Sequence, residues 1–210
     1  MGKNRWDELA DILVNYSTQV QKGDRVLVTM METDTFPLAR AVHASAVRAG
    51  AVAHIEFQSL LVQRDLMQFG VQEQFVHAHE MQSEGMNWAD VYIGLRGASN
   101  PHELSGIAEE TIMSFRRELG KVSAKRTKDT RWVLVRVPNS SFAQQAGMST
   151  DEMMDFFFDA TKQPISIDLD NSGINMVGGQ NSGDGALFYK RDNTGSPWKQ
   201  SNVRNGTFSF

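Results

Sequence analysis

The chain has 210 residues and a formal net charge of -4, and 40% of its residues are hydrophobic. This length allows one domain of ordinary size with a long tail, and the weakly acidic charge disfavours nucleic acid as a partner. Because the chain contains no cysteine, disulfides and thiolate nucleophiles are excluded, and only His, Asp, Glu or Tyr could hold a metal. No apolar stretch is long enough for a membrane span or a signal peptide. We therefore expect a cytoplasmic protein without a membrane or nucleic-acid partner.

The N-terminal part of the chain predicts a helix, a strand, a helix and a second strand. Apolar residues at three- and four-residue steps predict an amphipathic helix over residues 5–20. The apolar, β-rich run 25–31 predicts a buried strand of the parallel type. A helix over residues 35–50 and a strand over residues 51–57 follow. This order is that of a βαβ unit with a right-handed crossover, which is typical of a Rossmann-like domain.

The alternation of helices and strands continues through the middle of the chain. Helices are predicted over residues 60–69, 71–82, 107–122 and 153–160. Further strands are predicted over residues 88–96 and 131–137. Ser149 and Glu152 form an S-x-x-E capping box ahead of the last helix. The pattern predicts an α/β domain over residues 1–162, with an open, mostly parallel sheet and flanking helices.

Residues 163–210 have a different composition. From residue 165 onward the chain is rich in Gly, Asn and Ser and shows neither helical nor strand periodicity. We expect an irregular C-terminal tail rather than a second domain. The glycine-rich stretch 177–185 lacks the G-x-G-x-x-G and P-loop patterns, so it does not predict a nucleotide site.

The segment His77-Ala-His79-Glu80 is the strongest local candidate for a metal site, since two imidazoles and a carboxylate suit zinc or cobalt. On a helix, however, residues two apart point roughly 200° apart, whereas ligand pairs favour spacings of three or four. The favoured interpretation is a solvated helix end. His43, on the crossover helix, and His54, inside a strand, are interpreted as structural histidines.

Loops that follow the strands are the best candidates for contact with a substrate or partner. Ligands of open α/β sheets bind beyond the carboxyl ends of the strands. That position is predicted for Thr33-Asp34-Thr35 after the first strand and for His102 and Glu103 after the third. The alternative is that these residues serve only as turn and cap residues.

The remaining polar groups do not form a recognisable catalytic centre. The acidic series Asp151, Glu152, Asp155 and Asp159 lies at a helix start, where carboxylates complement the helix dipole. The order of residues predicts no Ser-His-Asp triad, and Ser149 lacks the G-x-S-x-G frame of a nucleophile elbow. We therefore assign no catalytic, cofactor-binding or metal-binding residue to this chain.

Four segments in register nevertheless resemble one family. They are LADILVNYSTQVQKGDRVLV (residues 9–28), LARAVHASAVRAGA (38–51), NWADVYIGLRGASNPHEL (87–104) and RWVLVRVPNSSFAQQAGMSTDEMMDFFFDA (131–160). Their order and spacing resemble the N-terminal part of the aminopeptidase T and aminopeptidase S family of dimeric, two-metal exopeptidases. The resemblance covers residues 9–160 and then stops.

The resemblance implies an α/β domain followed by a larger catalytic domain that acts on peptides. In the family the second domain supplies glutamates, histidines, a tyrosine and an aspartate to two divalent metal ions such as zinc or cobalt. No segment of this chain resembles that domain. We therefore expect a chain truncated before the catalytic domain, without metal ligands and without activity, and a homodimer is expected by analogy.

The sequence of the tail gives a hypothesis for why no segment resembles the catalytic domain. Codons permitted for residues 186–203, read one nucleotide later, can encode "FSIKGIIPVP", one free residue and "GNSQM", and the family has a run close to "FSIKGI" in this region. Residues 178–185 can likewise yield "DKIRATG". The hypothesis is that the tail is an out-of-frame translation that begins just after Ala160.

Two alternatives stay open. The first is a stand-alone α/β binding or dimerisation module that works without catalysis. The second is a relative of the pyridine-ring dioxygenases, which share part of this scaffold and would also need metal ligands downstream.

Overall fold

Four parallel strands form the centre of the protein. The computed structural model describes residues 4–162 and 188–191. Its parallel strands are β1 (Arg25–Met31), β2 (Val52–Gln58), β3 (Val91–Arg96) and β4 (Arg131–Arg136), in the spatial order β2-β1-β3-β4. The short strand β5 (Phe188–Arg191) pairs with β4 in the antiparallel direction. The sheet is therefore mostly parallel, as the sequence predicts.

Helices cover both faces of this sheet. They are α1 (Arg5–Asp11), α2 (Phe36–Arg48), α3 (Leu60–Phe69), α4 (Gln72–Ala78), α5 (Glu80–Trp88), α6 (Glu109–Asp129), α7 (Ser140–Gln145) and α8 (Thr150–Lys162). A π-helical segment, Ile12–Ser17, continues α1, and a 3-10 turn, Thr33–Thr35, leads into α2. The predicted α/β fold with flanking helices is confirmed.

One face of the sheet carries a continuous apolar core. Alternate residues of the strands, such as Val28 and Ile93, are fully buried there. They pack with apolar side chains of α1, α2 and α8. Burial of each such side chain contributes about 1.5–3 kcal/mol, so this face supplies most of the stability of the domain.

Helix α8 closes this core at its outer end. Phe157 and Phe158 are buried, and the ring of Trp6 meets Phe158 edge-on at 4.7 Å between ring centres. The predicted capping box is present, because Ser149 N donates to the Glu152 carboxylate at 2.8 Å and Glu152 N donates to Ser149 Oγ at 3.2 Å. A predicted local signal thus fixes the start of a helix that the core requires.

The opposite face of the sheet is covered by α3, α4, α5 and α6. A small cluster that includes Leu27, Trp132 and Leu134 packs against Met86 of α5 and Val122 of α6. Helices α3 and α4 attach to α6 through a separate cluster of Met67, Phe75 and Phe115. This face has two small clusters instead of one continuous core.

Some boundaries differ from those that the sequence predicts. The helix predicted over residues 71–82 is divided at His79, and α5 then continues to Trp88, so the third strand begins at Val91 and not at residue 88. Helix α6 runs seven residues further than predicted, to Asp129. Its last turns are polar and weakly periodic, and tertiary contacts of Val122 and Arg126 hold them helical. The short helix α7 was missed, although Asn139 accepts a hydrogen bond from Phe142 N and caps it.

Ion pairs join the strands at their amino ends. The Arg25 side chain donates to both carboxylate oxygens of Asp90, at 3.0 and 2.8 Å, and Arg25 N donates to the same group at 2.9 Å. These hydrogen bonds lower the pKa of Asp90 from 3.8 to about 2. A second pair joins Arg131 of β4 to Asp24, so β1, β3 and β4 are tied together at this end.

The Asp90 contact predicts a pH-dependent contribution to stability. A carboxylate whose pKa is lower in the folded state stabilises the protein above its unfolded pKa, and this contribution is lost as the pH falls through the folded value. Because the Asp90 side chain is 39% exposed, we expect Asp90→Asn to lower the free energy of unfolding at pH 7 by only about 1 kcal/mol. Urea denaturation of both proteins at pH 7 and pH 3 measures this difference, which should shrink at the lower pH. Asp65→Asn, on an exposed helix surface, is the control, and an equal loss in both variants would contradict the prediction.

Candidate functional site

The loops after β1 and β3 meet beside the carboxyl ends of these strands. A Cβ atom at Gly97 would lie 2.9 Å from Thr35 Cγ2 and 3.0 Å from the Met31 carbonyl oxygen, so glycine permits this close approach. Asn139, which follows β4, donates to the Ala98 carbonyl oxygen at 2.9 Å. The two loops that the sequence singles out therefore lie at the point where the strand order reverses, the usual place for ligands in open α/β sheets.

The loop after β1 is held by hydrogen bonds of Glu32. This residue has a positive φ of 65°, which non-glycine residues seldom adopt. Its carboxylate accepts from Leu60 N at 2.6 Å and from Ser59 Oγ at 3.1 Å, and thereby caps α3. The hydroxyl of buried Thr35 donates to the Glu32 carbonyl oxygen at 2.9 Å. Thr35 thus has a structural role, whereas Thr33 and Asp34 are exposed and stay candidates for contact.

His102 and Glu103 lie in a surface turn after β3. Asn100 organises this turn, because its side chain accepts from His102 N at 3.0 Å and donates to the Glu103 carboxylate at 3.1 Å. Arg64 of α3 donates to the backbone carbonyls of Glu103 and Ser105. The turn is therefore tied to α3, and the exposed ring of His102 stays a candidate for contact with a partner.

The two histidines of the His-Ala-His-Glu segment lie in different environments. His77 is exposed, and its Nδ1 lies 2.7 Å from Glu80 Oε1. His79 is buried at the junction of α4 and α5, where Nδ1 contacts the Phe75 carbonyl oxygen at 2.7 Å and the ring meets Phe115 edge-on. The segment was interpreted as a solvated helix end, which describes His77 but not His79.

The described residues do not fit a metal centre. In residues 4–162 and 188–191, no group of three or more His, Asp or Glu side chains is arranged so that it could hold a metal ion. His43 is partly buried on α2, and His54 is exposed on the edge strand β2. A two-metal centre of the kind that the family resemblance implies therefore cannot be built from this part of the chain.

The acidic series of α8 has structural partners. Hydrogen bonds from Ser149 lower the pKa of Glu152, and Asp155 forms an ion pair with Arg5 at 2.7 Å. Asp151 and Asp159 are exposed. The interpretation of these carboxylates as helix-start groups agrees with this geometry for Glu152 and differs for Asp155, which joins α8 to α1.

A cleft that the sequence analysis missed opens on the face of the sheet below α3, α5 and α6. Its volume is about 300 Å³, and its charged lining residues are Glu56 of β2, Arg96 of β3 and Arg126 of α6. Thr29 pairs in register with Glu56 on one side and with Gly94 on the other, so the floor of the cleft crosses three strands. In the sequence, polar residues at alternate positions of these strands are the signal that could have predicted this cleft.

The floor of the cleft depends on a close contact at Gly94. The Tyr92 hydroxyl lies 2.6 Å from Thr29 Oγ1 in a buried hydrogen bond. The Tyr92 ring reaches this position because Gly94 has no side chain: a Cβ there would lie 2.9 Å from Tyr92 Cε1 and 2.4 Å from Leu134 Cδ2. The hydrogen bond therefore requires glycine in the middle of β3.

Arginines give one end of the cleft a positive charge. The guanidinium of Arg126 lies 5.3 Å from the ring centre of Tyr92 and 5.1 Å from that of Trp132. Burial lowers the pKa of Arg126, and the positive charge of nearby Arg96 also lowers it. Arg96 has the same effect on the pKa of Arg136, where burial is again the larger cause. No ion pair within the described residues neutralises these three arginines.

The chain matches the model of a known protein family. The model of the M29 peptidase family, described as thermophilic metalloproteases, matches residues 3–164 of the chain. The match extends over the whole α/β domain and ends close to the last residue of α8. No curated protein matches the chain.

The fold is similar to that of a solved structure, wild-type AmpT from Thermus thermophilus. The TM-score is 0.61 at 17% sequence identity, and the match covers 77% of this chain and 44% of that chain. The protein thus spans less than half the length of the AmpT chain. A LacI-family putative transcription repressor from Corynebacterium glutamicum (TM-score 0.35, 11% identity, 76% of this chain and 57% of that chain) and CurK enoyl reductase (0.31, 14%, 76% and 50%) are too distant to carry an argument.

The contact at Gly94 predicts a large effect of one methyl group. We expect Gly94→Ala to lower the free energy of unfolding by about 1–3 kcal/mol, because the new Cβ would overlap Leu134 and the Tyr92 ring. Urea denaturation followed by tryptophan fluorescence measures the change. Gly120→Ala is the matched control, since nothing lies within 4 Å of that Cβ on α6, and it should raise stability by up to about 1 kcal/mol. Unchanged stability of Gly94→Ala would show that the cleft floor is not tightly packed.

Proposed function

The chain belongs to the M29 family of thermophilic metalloproteases, and we propose that its α/β domain is the non-catalytic N-terminal domain of a metal-dependent aminopeptidase. The observation that carries this proposal is the family match over residues 3–164, supported by the fold that the domain shares with AmpT. In metal-dependent peptidases a metal-activated water attacks the peptide carbonyl. The ligands for such a metal would come from outside the described residues, so we assign no catalytic step to this domain.

The proposal extends to the partners of the protein. Peptides are the proposed substrates of the complete enzyme, and a homodimer is its proposed assembly. Exposed apolar side chains on α3 and α5, such as Phe69 (75% exposed) and Met81 (81% exposed), support an interface on this side of the domain. Of the helices in the described residues, none is long and apolar enough to cross a membrane. A cytoplasmic location stays a prediction.

A binding function without catalysis is the second candidate, and the cleft beside Tyr92 favours it. A pocket with apolar walls and a few charged groups is typical of small-molecule sites. The two candidates are compatible, because a domain can bind a ligand inside a larger enzyme. The first candidate requires a further segment that carries the metal site, and the second does not.

The proposal predicts that the 210-residue chain is inactive by itself. We expect no hydrolysis of aminoacyl p-nitroanilides with added zinc or cobalt, and no tight binding of two metal ions in calorimetry, because the described residues lack a ligand cluster. A cooperative unfolding transition must first show that the protein is folded. Turnover that a chelator abolishes would contradict the proposal that this chain is non-catalytic.

The tail hypothesis predicts a specific nucleotide sequence. If the tail is an out-of-frame translation, the reading frame shifted by one nucleotide after the codon for Ala160 should encode the family-like segments and continue into a region with Glu, His, Tyr and Asp ligands. Sequencing of the locus through and beyond the codon for Phe210 tests this directly. A shifted frame that is soon interrupted by stop codons would reject the hypothesis and leave the binding module as the better candidate.

A further inference from the structure

We propose that the cleft on the sheet face binds a dipeptide with apolar side chains, with its carboxylate at Arg96 and Arg126 and its ammonium group towards Glu56. The proposal depends on the groups that line the cleft and on their order across the sheet.

The arginine end of the cleft is suited to a carboxylate. Arg126 is held against the rings of Tyr92 and Trp132, and its Nε atom is buried without a hydrogen-bond partner among the described residues. A buried donor without a partner costs about 1–3 kcal/mol, and more for a charged group, and a ligand acceptor would remove that cost. Arg96 lines the same cleft and adds a second positive charge. Guanidinium groups bind carboxylates through two parallel hydrogen bonds, so a planar carboxylate suits this position.

The middle of the cleft is apolar. Met31, Met86, Leu119 and Val122 line it, from β1, α5 and α6. Methionine side chains are flexible and adapt to ligands of different shapes. This lining favours a ligand with an apolar body over a simple inorganic anion.

The opposite end of the cleft is suited to an ammonium group. Glu56 lies on β2 and accepts one long hydrogen bond from Gln58, at 3.4 Å, so its carboxylate has capacity for further donors. The side-chain oxygen of Gln82, in the same cleft, is buried and has no hydrogen-bond partner among the described residues. Both groups accept hydrogen bonds, which is what an ammonium group requires.

The span between the two ends is right for a small zwitterion. Glu56 is in register with Thr29, and Thr29 with Gly94, so Glu56 and Gly94 are two strand spacings apart, about 10 Å. Arg96 lies two residues further along β3, so the backbones of Glu56 and Arg96 are about 12 Å apart. An extended dipeptide is about 7 Å long, and the side chains of Glu56 and Arg96 cover the remaining distance. A larger peptide would exceed the 300 Å³ of the cleft.

The proposed function enters this inference only as the source of the ligand. An aminopeptidase acts on peptides, so a domain of such an enzyme would meet dipeptides. Binding in the cleft needs neither metal nor catalysis. A binding experiment on the full 210-residue chain can therefore fail while the proposed family function stands, and the reverse is also true.

The experiment is a titration with L-leucyl-L-leucine followed by NMR or calorimetry. We expect saturable binding at millimolar concentration or below, and no binding of the 3-methylbutylamide of L-leucine, which has the same apolar body but lacks the carboxylate. Arg96→Gln should weaken L-leucyl-L-leucine binding about tenfold or more, since one charge-assisted hydrogen bond is lost. Arg117→Gln, an exposed arginine on α6 outside the cleft lining, is the matched control and should bind like the unmodified protein.

A second variant separates the two ends of the ligand. Glu56→Gln should weaken L-leucyl-L-leucine binding but leave the binding of N-(4-methylpentanoyl)-L-leucine, which lacks the amino group, unchanged. The unfolding midpoint of each variant verifies that it is folded. The proposal is overturned if L-leucyl-L-leucine does not bind, if Arg96→Gln and Arg117→Gln bind it equally well, or if inorganic phosphate binds as tightly as the dipeptide.

Discussion

The burial of a parallel sheet on both faces is the constraint on which the rest of this structure depends. Each strand contributes two sets of alternate side chains, and both sets must be covered by helices. One face meets this requirement with a continuous apolar core under α1, α2 and α8. The opposite face, under α5 and α6, carries polar groups such as Thr29 and Arg96 beside a smaller apolar cluster.

Residues that stabilise the sheet and residues that could contact a ligand lie in different regions of the protein. Residues at the amino ends of the strands, such as Asp24 and Asp90, form ion pairs that fix the strands relative to one another. The carboxyl ends carry the loops that meet at Gly97. The cleft reaches the last residues of β1, β2 and β3, and its floor depends on Gly94, which allows the Tyr92 ring to reach Thr29. A single glycine thus connects the packing of the sheet with the shape of the cleft.

Membership of the M29 family and the geometry of the described residues together indicate how this domain can act. The match covers the α/β domain, while the chain spans less than half of the AmpT chain. The described residues contain no cluster that could hold a metal ion. The proposed function is that of one domain within a larger enzyme, and the exposed apolar side chains of α3 and α5 are consistent with an interface to the rest of it.

The sequence by itself determined the order of the four parallel strands along the chain, the limits of β1, the capping box of α8 and the family, because periodicity, cap residues and motif spacing are local properties. It predicted the loops at the carboxyl ends of the strands, but not which of their side chains are buried, as Thr35 is. Only the tertiary structure decided that His79 is buried against Phe115, that α6 extends to Asp129 and that Glu56, Arg96 and Arg126 line one cleft. These features depend on contacts between residues that are distant in the chain, which local sequence patterns do not specify.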